Sequence, residues 1–158
     1  MNLKSAKVIT TILLIVAIIA FVFGIGTAIK ADKARAHNPD KIQIELLNIR
    51  PEVSDSYYVY MSYSIKNRTG KELNSVAATA DVKDKSGKEL GSIRLEFGGT
   101  GSNALHLKRG SVEKEIYLES RTPDEFFATL FQANASDLQI TYEVYSAQWA
   151  DGYSYYNR

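Results

Sequence analysis

The side chains that could carry chemistry in this chain are few and scattered. There are two histidines, His37 and His106. A Ser-His-Asp hydrolytic set would have to use His106, and nothing around it has the strand–turn–helix form that presents a nucleophile. Two histidines fall short of a His-based metal site. With no cysteine, the chain lacks thiolate ligands, thiol nucleophiles, disulfides and a lipid-acceptor thiol. Asp81, Asp84 and Glu89 offer the oxygen ligands that calcium takes, but their spacing matches no EF-hand loop, and solvation of a hairpin accounts for them. Gly98-Gly99-Thr100-Gly101 has the composition of a phosphate loop. A strand is expected after it, so the helix N-terminus that completes a phosphate cradle is missing. That stretch reads as a loop between strands, where a partner could make contact. Asn67-Arg68-Thr69 and Asn134-Ala135-Ser136 match the glycan-acceptor pattern, which matters only in a eukaryotic secretory pathway; in a bacterium both are turn residues. The expectation is a protein that is not an enzyme, with no catalytic residue, cofactor or metal ion.

Tyrosine is the unusual residue type, with ten copies. Tyr58, Tyr60, Tyr117 and Tyr145 are expected to face outward, and Tyr153, Tyr155 and Tyr156 form an aromatic tail with Trp149 nearby. Outward aromatics supply contact area at low entropic cost and suit a protein, glycan or peptidoglycan partner. The competing role is cross-strand pairing that stabilises the sheet itself. These eight residues are the candidate partner contacts.

The elements that must position them follow from hydrophobic periodicity. Lys41 to Ile49 alternates through Ile42, Ile44 and Leu46, and Arg50-Pro51 is expected to break the strand. Tyr57 to Lys66 puts Tyr57, Val59, Met61, Tyr63 and Ile65 on one face and Tyr58, Tyr60, Ser62 and Ser64 on the other. Ser75 to Lys83 turns Val76, Ala78, Ala80 and Val82 inward. Asp84-Lys85-Ser86-Gly87 closes a hairpin. Leu90 to Phe97, Ala104 to Leu107, Ser111 to Glu119 and Leu138 to Trp149 complete about seven strands. Thr122-Pro123-Asp124-Glu125 reads as a capping box that starts a short helix over 123–132, with Phe127, Leu130 and Phe131 on its buried face. Strands with one buried and one wet face, and no βαβ alternation, predict an antiparallel β-sandwich.

The stretch from Tyr60 to Gly91 carries a resemblance. It runs as a strand, the turn Asn67-Arg68-Thr69-Gly70-Lys71, a strand ending at Asp81-Val82-Lys83-Asp84, then Gly87-Lys88-Glu89-Leu90. Ser146-Ala147-Gln148-Trp149-Ala150-Asp151-Gly152 is similar to the closing element of the same pattern. Together these resemble the FxLYD-type and related immunoglobulin-like modules of Gram-positive membrane proteins and lipoproteins. The resemblance covers about three quarters of the body. It implies an immunoglobulin-like sandwich and carries over no functional residue, because that family has no common catalytic site. The chain departs from the lipoprotein form in lacking a lipobox cysteine.

A hydrophobic run sets the location. Residues 8–29 form 22 uncharged positions, about 33 Å as a helix against a hydrocarbon core of about 30 Å. The run exceeds the apolar core of a typical signal peptide, so an uncleaved signal-anchor contacting the lipid bilayer is expected; the alternative is a secreted protein released by cleavage. Lys30, Lys33 and Arg35 outnumber Lys4 and Lys7, and the positive-inside rule taken alone would put the body in the cytoplasm. The short tail 1–7 and a cysteine-free body rich in Tyr, Ser, Thr and Asn favour the outside. Residues 30–40 read as a juxtamembrane linker, 41–152 as the sandwich and 153–158 as a tail. From His37 onward there are 14 Lys/Arg against 17 Asp/Glu, a balance of about −3, which disfavours nucleic acid as a partner. The expected role is a membrane-anchored extracytoplasmic interaction module of the cell envelope with a protein or cell-wall partner. A ligand-binding ectodomain, and then an envelope enzyme, rank behind it.

Overall fold

The computed structural model describes residues 35–157. The hydrophobic run 8–29 lies outside them. Within them, no helix is long and apolar enough to cross a membrane. The body is one compact unit that begins at His37.

Seven strands build it among the described residues: β1 (Ile42–Val53), β2 (Tyr57–Asn67), β3 (Leu73–Asp84), β4 (Glu89–Gly98), β5 (Gly110–Ser120), β6 (Leu138–Trp149) and β7 (Ser154–Tyr156). One helix, α1 (Glu125–Gln132), joins β5 to β6. The strands form two antiparallel sheets in the orders β1-β2-β5 and β4-β3-β6-β7. Hairpins β1–β2, β3–β4 and β6–β7 stay within a sheet, and the other connections cross between the sheets. The sandwich therefore has a root, where the chain enters β1 and the β2–β3, β4–β5 and β6–β7 connections gather. The opposite end is the tip, with the β1–β2 and β3–β4 turns and α1.

The core sits between the inner faces. Val59, Met61, Tyr63 and Ile65 of β2 meet Val76, Ala78, Ala80 and Val82 of β3 and Ile93, Leu95 and Phe97 of β4, all buried. Each large side chain so enclosed contributes on the order of 2 kcal/mol. The small Ala78 and Ala80 of β3 leave room for large rings: Tyr63 lies edge-on to Phe97 and Tyr142, at 5.7 and 6.5 Å.

The structure departs from the sequence expectation at several elements. Arg50-Pro51 does not end β1; Pro51 pairs with Val59 and the strand runs on to Val53. β1 is an edge strand, where a residue without an N–H breaks no sheet ladder. Ala104 to Leu107 is not a strand: a 3-10 turn at Gly101–Asn103 precedes it, and only Leu107 bridges to Leu73. The seventh strand comes instead from the aromatic tail, where Tyr155 pairs with Ala147. The helix begins later than its capping box suggests, with Asp124 as the cap; its carboxylate accepts the N–H of Phe127 at 2.7 Å. Finally, His37 is buried, so the body starts inside the stretch read as a linker.

Candidate functional site

On the outer face of the β1-β2-β5 sheet, strand register assembles three of the expected tyrosines. With Val59 and Met61 facing in, Tyr58 and Tyr60 must face out. On β5 the half-buried Ile116 and Leu118 turn inward, which leaves Tyr117 outward and directly opposite Tyr60. The ring centroids lie 6.1 Å apart for Tyr58–Tyr60, 6.1 Å for Tyr58–Tyr117 and 5.8 Å for Tyr60–Tyr117. Arg50, the β1 partner of Tyr60, lays its guanidinium 4.2 Å from that ring's centre. Glu52 holds the same guanidinium at 2.7 Å and Glu115 lies at 3.9 Å. Tyr58 donates its hydroxyl to Asp55 at 3.3 Å. The hydroxyl of Ser54, then the backbone N–H of Asp55 and the Tyr58 hydroxyl, hold the Asp55 carboxyl below the usual carboxylate range.

This cluster is packed and exposed at once, since Tyr117 keeps 59% of its surface open. Pre-ordered rings lose little entropy on binding, and a ring face beside a guanidinium can stack on a partner's ring, an apolar sugar face or a planar side chain. Cross-strand pairing and an open contact surface coexist here.

The other five candidates are not part of it. Tyr145 sits at a bulge of β6 with Arg94 5.8 Å from its ring. Tyr156 on β7 is 67% exposed. Tyr155 packs against the core. Trp149, grouped with the surface aromatics on sequence grounds, is a correction: it is a core residue, 2% exposed. The cause is the bulge, a register shift of β6 against β3 between Ser146 and Val144. One extra residue reverses the inward parity, so Leu138, Ile140, Tyr142 and Val144 face in before it and Ala147 and Trp149 after it. Tyr153 belongs to the root, where its ring stacks on His37 at 4.3 Å and meets Trp149 at 5.8 Å.

The groups with catalytic potential are engaged in structure. His37 directs Nε2 at Asp151, 2.9 Å from Oδ2. Partial burial works to raise the Asp151 carboxyl, but the His37 ring, the Tyr153 N–H and Lys71 outweigh it and hold that group below the usual carboxylate range. His106 is exposed and donates Nδ1–H to Glu72 at 3.0 Å. Asp81 accepts from the Ser92 hydroxyl. Asp84 accepts from the hydroxyl and N–H of Ser86 and the N–H of Lys88, the bonds of an Asx turn. Among the described residues, no three His, Cys, Asp or Glu side chains gather as a metal site. Asn67 is wholly buried, and its amide donates to the carbonyls of Lys71 and Leu107 at 2.8 Å each, so the folded chain cannot offer it to a glycan-transferring enzyme.

Two features escaped the sequence reading. One is the clasp of His37 on the β6–β7 turn, which single-chain periodicity cannot register. The other is a cleft at the root lined by Lys41, Arg68, Lys71, Lys108 and Arg109, with a volume of about 600 Å³. Its only sequence signal is that basic residues recur at turns which the topology brings to one end.

The chain matches no family model, no curated protein and no solved structure.

Proposed function

We propose that the protein is a non-catalytic interaction module of the cell envelope, a single-pass immunoglobulin-like sandwich held at a membrane by residues 8–29 with its body outside the cytoplasm. The observation that carries the interaction role is the ordered, open cluster of Tyr58, Tyr60 and Tyr117 with Arg50 stacked beside it. The immunoglobulin-like part is supported by the strand orders β1-β2-β5 and β4-β3-β6-β7, an antiparallel arrangement in which sheet-crossing connections alternate with hairpins. The anchor rests on the length and apolarity of residues 8–29. The resemblance to FxLYD-type modules of Gram-positive membrane proteins fits the same reading. The partner is a protein or a cell-wall polymer that offers rings or sugar faces.

The test is a photo-crosslinking amino acid placed at Tyr117 in the full chain in its native membrane, with Tyr58→Ser/Tyr60→Ser as the paired variant. A discrete adduct that disappears in a variant of unchanged melting temperature supports the reading. A variant that is only less stable and keeps its adduct assigns the tyrosines to sheet stabilisation.

A further inference from the structure

Cations are concentrated at the root without anions to match. Lys41, Arg68, Lys71, Lys108 and Arg109 surround the open cleft of about 600 Å³, with Glu72 the one carboxylate in its lining. Of the acidic groups at that end, Glu72 accepts from His106 at 3.0 Å, and Asp151 takes His37 at 2.9 Å and Lys71 at 3.3 Å. Asp40 is exposed. Among the described residues, Lys41, Arg68, Lys108 and Arg109 enter no ion pair. The cleft is not a by-product of a basic body, because the chain from His37 onward carries 14 Lys/Arg against 17 Asp/Glu. At the tip Glu52, Asp55, Asp84, Glu119 and Asp124 lie on or beside the turns and helix among Lys83, Lys85, Lys88 and Arg121, so cations are not in excess there.

Chain length adds a second constraint. Only residues 30–36 separate the apolar run from His37, the first residue of the body. Seven residues reach at most about 25 Å when fully extended. A bilayer entered by residues 8–29 is therefore within reach of the root, at a high effective concentration.

We propose that the root cleft docks on the anionic phosphate headgroups of that bilayer, seating the sandwich root-down with its strands rising from the surface and the Tyr58–Tyr60–Tyr117 face turned to the side. This rests on the anchor assigned under Proposed function. Each Lys or Arg near an anionic leaflet strengthens binding by about fivefold, and the attraction is lost within a Debye length.

The test uses the full chain in lipid nanodiscs, either neutral (phosphatidylcholine) or containing phosphatidylglycerol, each doped with a gadolinium-headgroup lipid. The readout is the paramagnetic relaxation of backbone amides. The amides of Arg68, Gly70, Lys108 and Arg109 are expected to relax at least about twofold faster in the anionic discs, while Gly87 at the tip does not change. The difference is expected to vanish in about 0.5 M NaCl and in the Arg68→Ser/Arg109→Ser variant. Equal relaxation in both discs overturns the docking and leaves the anchor standing. A chain that co-purifies with neither disc overturns the anchor and the docking with it. Inorganic phosphate that shifts the root amides in neutral discs as strongly as the anionic lipid does would assign the cleft to a free anion and overturn the docking.

Discussion

Trp149 donates its indole N–H to the hydroxyl of Thr69 at 3.2 Å, and both side chains are buried. Thr69 in turn donates to the side-chain amide oxygen Oδ1 of Asn67 at 2.7 Å and accepts the N–H of Lys71 at 3.3 Å. One hydroxyl thus closes the β2–β3 turn and satisfies the indole at the end of β6. Thr69→Val keeps the shape and removes the hydroxyl, leaving a buried indole N–H without its acceptor. The expected loss is about 2–3 kcal/mol of unfolding free energy, against under about 1 kcal/mol for Thr69→Ser. Urea titration followed by the fluorescence of the single tryptophan measures both. A Thr69→Val loss no larger than that of Thr69→Ser would mean that the hydroxyl is not the dominant group here.

Two tyrosines make the sandwich sensitive to alkali. Burial pushes the Tyr142 phenol up to about 12, although the N–H of Leu46 donated to its oxygen at 3.0 Å works the other way. Burial pushes Tyr63 higher still, with Tyr142 adding to the effect. The folded values lie above the unfolded value of about 10, so the unfolded chain releases these protons first. Their contribution to stability is complete below pH about 10 and is lost as pH rises toward 12. Phenolate absorbance and circular dichroism recorded together should show a fraction of the phenols ionising only as the strand signal collapses. Tyr142→Phe should move that collapse to higher pH.

Gly98 and Gly87 both have positive φ, at +77° and +86°, but differ in surroundings. A Cβ on Gly98 would lie 2.3 Å from the carbonyl oxygen of Asn74 and 2.7 Å from Leu105, whereas one on Gly87 meets nothing within 4 Å. Gly87→Ala carries only the conformational strain, about 1 kcal/mol. Gly98→Ala adds a backbone clash where β4 leaves the sheet and should cost at least about 2 kcal/mol more. Thermal melts of the two variants side by side check the ordering.

Much of this architecture was legible because alternation reports burial directly. The inward sets of β2, β3 and β4 follow from it residue by residue, and the outward Tyr58, Tyr60 and Tyr117 follow from the same parity. What was not legible came from single inserted residues and from contacts distant in sequence. Leu47 is the extra residue of a bulge in β1, so inward positions pass from Leu46 to Ile49 and the strand outlasts its pattern. The bulge at Tyr145 hid the burial of Trp149 in the same way. A bulge changes parity without changing composition, so alternation cannot detect it. The tail strand β7 is three residues long and owes its pairing to β6, which no local signal announces. The basic root cleft arises from turns brought together only by topology.

His37 joins the chain ahead of the sandwich to the turn behind β6. Its ring is 4% exposed, stacks on Tyr153, meets Trp149 edge-on at 5.2 Å and reaches the Asp151 carboxylate. That contact lies just ahead of the 3-10 turn Pro39–Lys41, which has no buried residue of its own. His37→Ala removes the ring and leaves the segment 35–41 held by the Asn38 cap and by the Arg68 N–H donated to the Lys41 carbonyl. Trypsin, which cuts after Arg35 and Lys41, is expected to cleave the full chain in detergent there several-fold faster, while the strands beyond Ile42 resist as before. Tryptophan emission should shift as the indole loses its neighbour. Asp151→Asn keeps the ring stack and gives up the charge, so it should produce a smaller acceleration. If trypsin cuts wild type and His37→Ala at the same rate, the clasp does not govern the order of this segment.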